Sequence, residues 1–211
     1  MSAYIEHIIG WLAGFTTAVI VAMGYPGVAL LMAIESACIP LPSEIIMPFA
    51  GYLVAQGHFT LWGVATAGAI GNNIGSAIAY EVGKRGGRPI VERYGRFVLI
   101  DAQDIDKADR FFGRFGDWAV LIGRMLPVIR TFIAFPAGVV RMPYVRFHIF
   151  TFIGSWPWCF GLAWVGMKLG AAWNSDPRVK AVLHSFDVVI VAVVLAAAAW
   201  FVWHKLRKRP A

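Results

Sequence analysis

Charge is scarce in this chain of 211 residues: Asp, Glu, Lys and Arg together make up 15% of it, as 12 acids and 19 bases. Set beside 59% AVILMFWYC and a mean hydropathy of +0.66, that scarcity excludes a disordered segment, a polar solenoid and an ordinary soluble enzyme. Cysteine is nearly missing as well. Cys38 and Cys159 both lie in apolar stretches with no Cys or His at metal-ligating spacing, so neither a disulfide framework nor a zinc site is expected. Both read as reduced packing residues, and no metal or cofactor is called for. Aromatic residues interleaved with bases are also absent, so the net charge of +7 is no nucleic-acid footprint. What is left is an integral membrane protein, read as one membrane domain over 1–211.

The charges that do occur mark out the topology, because an unpaired charge in hydrocarbon costs several kcal/mol. Residues 7–34, 147–167 and 188–204 are charge-free, each close to the ~20 residues that one spanning helix needs. Residues 45–80 are too many for one crossing and too few for two, which fits a half-helix followed by a full one. The apolar stretch 118–140 is interrupted by Arg124, Pro127, Arg130 and Pro136, and reads as a broken, re-entrant segment. No Lys or Arg precedes Lys84, whereas 84–114, Arg141, Arg146 and the tail from Lys205 are basic. The positive-inside rule makes those regions cytoplasmic, with both termini inside.

The expected fold is therefore an all-α membrane protein, with about four transmembrane helices and two opposed re-entrant hairpins forming an inverted repeat. The first repeat covers 28–83 and the second 118–170. A cytoplasmic loop at 84–117 lies between them, and a last transmembrane helix covers 187–203. Within the loop Ile105, Ala108, Phe112 and Phe115 recur at helical spacing, as in a helix lying on the membrane surface.

Two proline-containing segments share a layout. Pro40-Leu41-Pro42-Ser43-Glu44 leads to Pro48-Phe49-Ala50-Gly51, and Arg124-Met125-Leu126-Pro127-Val128-Ile129-Arg130 leads to Phe135-Pro136-Ala137-Gly138. Proline removes an amide donor and frees backbone groups that lipid cannot satisfy, so Pro40, Pro42, Pro127 and Pro136, with Gly51 and Gly138, are expected to shape breaks facing protein or a polar cavity. In inverted-repeat transporters the site lies where such broken helices meet. The first break carries acids and the second arginines.

Glu35 and Glu44 bracket the first break, where a partly desolvated carboxyl is placed to exchange protons; they are candidates for proton coupling. Arg124 and Arg130 flank Pro127, and their guanidinium forks match the geometry of a phosphate group. They are the candidate headgroup ligands. Asn72 and Asn73 stand beside a small-residue row, Ala67, Gly71, Gly75, Ala79 and Gly83, which is read as helix packing and leaves a homodimer open. Glu81 reads as an interfacial ion pair with Lys84 or Arg85. Trp156, Trp158, Trp164 and Trp173 read as lipid-facing or belt aromatics, and the five histidines have no partner at catalytic or metal spacing.

Taken in order, Glu35, Pro40-x-Pro42-Ser43-Glu44, Gly51, Tyr80-x-x-Gly83, Arg124-x-x-Pro127-x-x-Arg130, Gly138 and Gly154-x-Trp156 resemble the DedA family, the bacterial branch of the SNARE-associated or VTT-domain membrane proteins. Met125 departs from the pattern, standing where an aromatic commonly follows the first arginine. The resemblance implies an inner-membrane lipid transporter that depends on proton-motive force. Its implied cargo is undecaprenyl phosphate, the carrier lipid of envelope polymers, or a phospholipid such as phosphatidylethanolamine. It also implies that the two acids and two arginines are essential, and here these are Glu35, Glu44, Arg124 and Arg130. The partners expected are membrane lipids and protons. A proton-coupled exporter of a small solute is the alternative transporter. A membrane phosphatase is the enzyme alternative, disfavoured because no Ser-His or Cys-His pairing stands in the sequence.

Overall fold

The computed structural model describes residues 14–37, 43–98, 110–126 and 129–173, with side chains excepted at 87–98 and 171–173. Every regular element among the described residues is α-helical. The expected breaks at Pro40, Pro42 and Pro127, residue Cys38, and the final helix at 187–203 lie outside the described residues, as does most of the surface helix in the 84–117 loop.

Helix α1 (Gly14–Met23) ends at Gly24, whose backbone φ of +68° is open to glycine without a Cβ penalty. The chain then enters α2 (Tyr25–Ser36), with Pro26 in the first turn, where its missing N–H has no intrahelical acceptor to leave unpaired. Helix α3 (Ser43–Ala55) follows. At 12 and 13 residues, α2 and α3 are about 18 and 20 Å long, short of the ~30 Å hydrocarbon core. Helix α4 (Leu61–Val98) is continuous over 38 residues. Residues 110–115 form α5, which buries Phe112 and exposes Phe115. The interrupted apolar stretch then forms α6 (Trp118–Met125), α7 (Ile129–Phe132) and α8 (Ala134–Val139). Pro136 occupies the first turn of α8. Helix α9 (Tyr144–Trp173) closes the described chain, and among the described residues it alone is long and apolar enough to cross a membrane.

The packing follows an exchange pattern. In the first half α2 lies on α4 and α3 lies on α9; in the second half α6 lies on α9 and α8 lies on α4. Each half thus keeps one short arm on its own long helix and places the other on the long helix of its counterpart. Glycines make the crossings close. A Cβ on Gly51 of α3 would stand 2.0 Å from the Ala163 carbonyl oxygen of α9, and one on Gly166 would stand 2.1 Å from the Pro48 carbonyl oxygen. The counterpart crossing repeats this reciprocity: Gly138 of α8 sits on the Tyr80 carbonyl at 2.0 Å, and Gly83 of α4 on the Phe135 carbonyl at 2.3 Å. Gly51 and Gly138 therefore lie inside helices and set backbone approach. The small-residue row of α4 packs internally, with Gly71 and Gly75 against the Ala29 and Ala33 carbonyls of α2.

Two apolar clusters result. One joins α1, α2, α3, α4 and α9 around Ile20, Met32, Met47 and Ala163; the other joins α4, α5, α6, α8 and α9 around Tyr80, Val120, Ala134 and Phe147. The outer face of α4 carries Ile70, Ile74 and Ile78, each more than 40% exposed, and α9 similarly exposes Ile149 and Ile153. Stripes of that size facing outward suit hydrocarbon contact.

Candidate functional site

Four short or long helices bring the predicted acids and arginines to one place. Glu35 is in the last turn of α2 and Arg130 is in α7, 95 residues later in the chain. Arg130 Nη2 lies 3.4 Å from Glu35 Oε2, and both side chains are under 10% exposed. The guanidinium carbon also stands 4.9 Å from the ring centre of Trp158 on α9, a cation–π contact. Arg124, in the last turn of α6, is 2% exposed, so it does not snorkel to an interface. Its Nη2 donates to Ser76 Oγ of α4. Gly154 of α9 makes room for it, since a Cβ there would fall 2.8 Å from Arg124 Cβ.

A hydrogen-bonded network continues from these groups across the helices. Ser76 Oγ donates to the Asn72 carbonyl, Ser36 Oγ donates to Asn72 Oδ1, and Asn72 Nδ2 lies 3.7 Å from Cys159 Sγ. The fully buried Ser43, first residue of α3, links the two acids: its hydroxyl is 3.4 Å from Glu44 Oε2 and is a hydrogen-bond partner of Glu35. Glu44 is half-buried in the first turn of α3. Pro48 stands one turn later and lacks an N–H, so the Glu44 carbonyl has no helical donor from it. The net result is two arginines and one glutamate held in a buried polar cluster, with a second glutamate at its edge. Buried charges of this kind persist only when paired or used.

All four predicted charged residues thus converge. Several of their partners have no assigned role in the sequence pattern: Ser36 and Ser76 stand in no motif, Ser43 enters only as a member of the Pro40-x-Pro42-Ser43-Glu44 motif, Asn72 reads as packing, and Trp158 reads as a belt aromatic. Spacing carried a faint signal, because Asn72 and Ser76 are one helical turn apart on the small-residue face, and Ser36 and Ser43 adjoin the two acids. Glu81 does pair at the surface, with Lys84 at 3.7 Å and Arg85 at 3.1 Å. Among the described residues no group of three or more His, Cys, Asp or Glu is placed to hold a metal ion.

A separate feature lies on the outer face between α4 and α9. A groove of about 550 Å³ is lined by Ile70, Ile74, Ile78 and Phe152, with Asn73, Tyr144 and His148 as its polar members. Asn73 Nδ2 donates to the His148 carbonyl at 2.9 Å, and its Oδ1 meets His148 Nδ1.

Comparison with known proteins adds a family and relatives. The VTT domain model matches residues 41–168. The chain is 34% identical over 197 residues to undecaprenyl phosphate transporter A of Bacillus subtilis (strain 168), covering 93% of each protein. It is 30% identical to undecaprenyl phosphate transporter A of Staphylococcus aureus (strain NCTC 8325 / PS 47), covering 88% of this chain and 92% of that one. It is also 33% identical, over 81% of each, to a protein of Lactococcus lactis subsp. cremoris (strain MG1363) named alkaline phosphatase-like protein. No solved structure matches the chain.

Proposed function

Because this chain belongs to the VTT-domain family of membrane proteins, the DedA family in bacteria, we propose that it translocates an anionic polyprenyl-phosphate lipid such as undecaprenyl phosphate across the inner membrane. The single observation that carries this reading is the buried Arg130–Glu35 pair with Arg124 beside it. An anionic headgroup crosses hydrocarbon only if its charge is compensated on the way, and two guanidiniums compensate a phosphate while offering it forked donors.

In this mechanism α2–α3 and α6–α8 are opposed re-entrant hairpins of an inverted repeat, and both chain ends face the cytoplasm. The shortness of α2 and α3 supports the re-entrant hairpins, the exchanged packing of the two halves supports the repeat, and the basic residues at 84–114 and in the tail support cytoplasmic ends. Glu35 holds Arg130 in the resting state. A proton reaching Glu35 through Glu44 and Ser43 cancels that attraction and frees Arg130 for the phosphate; loss of the proton on the other side restores the pair and displaces the lipid. The apolar groove between α4 and α9 faces outward, where a lipid tail can remain in hydrocarbon while its headgroup moves. That feature favours a lipid over a small solute as cargo.

The test is movement of a labelled polyprenyl phosphate in proteoliposomes with and without an imposed pH gradient. Gradient-sensitive movement that Arg130→Ala and Glu44→Gln abolish is the expected result. Full activity in both variants refutes the mechanism. Movement of phosphatidylethanolamine alone, indifferent to the gradient, identifies a phospholipid scramblase instead. Hydrolysis calls for an activated nucleophile in addition to this cluster, and release of inorganic phosphate by the purified protein is the outcome that would favour an enzyme.

A further inference from the structure

Four polar atoms, one on Arg130 and three on α9, are buried without a hydrogen-bond partner: Arg130 Nη1, Trp158 Nε1, Thr151 Oγ1 and Ser155 Oγ. Thr151 and Ser155 are 0% and 2% exposed, and neither hydroxyl bonds back to its own helix, the usual refuge of a buried helical hydroxyl. Positions 151, 155 and 158 fall within roughly 60° of one another around α9. Two neighbours show where that face points: Trp158 stacks on Arg130, and Cys159 meets Asn72 of the buried network. Gly154, next to Ser155, backs Arg124. The stripe therefore borders the two arginines.

An indole N–H and a guanidinium N–H are donors only, and the two hydroxyls are free to donate. Leaving such groups buried and unmatched costs stability, so a native chain that keeps several together on one face holds them for an acceptor that arrives. The matching ligand is rich in acceptor oxygens and carries no donors. Building on the phosphate-lipid reading above, we propose that Thr151, Ser155 and Trp158 form a donor wall that, with Arg130 Nη1, receives the free oxygens of a terminal phosphate and thereby selects phosphomonoester lipids over phosphodiester lipids. A phosphomonoester presents three free oxygens and a phosphodiester two. A buried site built to donate to all of them discriminates against the ligand that leaves donors unmatched.

The experiment compares the wild-type chain with the Thr151→Val/Ser155→Ala double variant and with Trp158→Phe in proteoliposomes carrying two labelled lipids, a polyprenyl phosphate and phosphatidylglycerol. Wild type moves the polyprenyl phosphate faster. The double variant lowers the ratio of the two rates about tenfold, the loss expected for hydrogen bonds to a charged group. Trp158→Phe keeps a ring over Arg130 and lowers the ratio in the same direction. Thermal melting of the double variant in detergent, without lipid, provides the readout that a structural role would reverse: removing unmatched hydroxyls leaves the melting temperature unchanged or higher, whereas hydroxyls with structural partners would lower it. An unchanged ratio, an equal loss for both lipids, or a lowered melting temperature overturns the donor wall. If wild type moves polyprenyl phosphate and the double variant keeps its preference, only the wall is refuted. If wild type moves neither lipid, the transport reading falls and the wall with it.

Discussion

Consider removing one partner of the Glu35–Arg130 pair. At the observed 3.4 Å, and with the effective dielectric near 20 that suits partly relaxed protein sites, the direct attraction is about 5 kcal/mol. Glu35→Gln keeps the shape of the side chain and removes that attraction, leaving Arg130 at 3% exposure with a neutral partner and the face of Trp158. Breaking a buried pair in this way destabilises by about 3–5 kcal/mol, because an uncompensated charge stays behind. Arg130→Met strands Glu35 similarly. The double variant Glu35→Gln/Arg130→Met strands nothing, so it recovers stability, and the coupling in the cycle is expected to be at least the loss of one single variant, about 3–5 kcal/mol. Denaturant-dependent unfolding of the purified protein in mixed micelles measures all four corners, and the transport assay is run on the same samples. Stability should return in the double variant while transport stays abolished. Additive losses, with no coupling, would refute the claim that the two residues form one electrostatic unit; recovery of transport together with stability would make the pair structural only.

Other predictions follow from particular contacts. Gly51→Ala and Gly138→Ala each force a methyl group into a carbonyl oxygen about 2 Å away on another helix, and each should cost about 1–3 kcal/mol, read as a lower melting temperature. Gly161→Ala, an exposed helical position with nothing within 4 Å, should be neutral or stabilising by up to about 1 kcal/mol, and an equal loss at all three sites would show that the crossings are not what is being measured. Cys159 is fully buried, so a membrane-permeant maleimide should leave it unlabelled in the native protein and label it after unfolding in detergent; mass spectrometry of its peptide finding rapid native labelling would contradict the packing of α3 and α4 against α9. Ser76→Ala removes the acceptor of the Arg124 Nη2 bond and should reduce transport severalfold, with unchanged transport arguing that Arg124 is positioned by other groups.

Much of the architecture is legible in the chain itself. Gaps between charges locate α9 and the apolar parts of α1, α3 and α4, since hydrocarbon tolerates no unpaired charge. The same rule singles out Glu35, Arg124 and Arg130, because a charge inside an apolar stretch stands out without any knowledge of its neighbours. Proline and glycine mark the interrupted stretch that forms α6, α7 and α8. The neutral members of the site are another matter. Serine, threonine, asparagine and tryptophan occur throughout membrane helices for packing, capping and interface reasons, so Asn72, Ser76, Ser155 and Trp158 carry no distinguishing mark until their neighbours are known.

Read along the chain, the residues tell which segments are apolar, which charges are stranded among them, and that the stranded acids lie in one half and the stranded arginines in the other. It takes the folded arrangement to pair Glu35 with Arg130 while Arg124 turns to Ser76, to set Trp158 against an arginine, and to lay one arm of each half on the long helix of the other. The reason is that solvation cost belongs to each residue separately and can be read along the chain, whereas pairing depends on which backbones approach closely. Here that approach is set by glycines on helices far apart in sequence, whose contacts appear only once the helices have crossed.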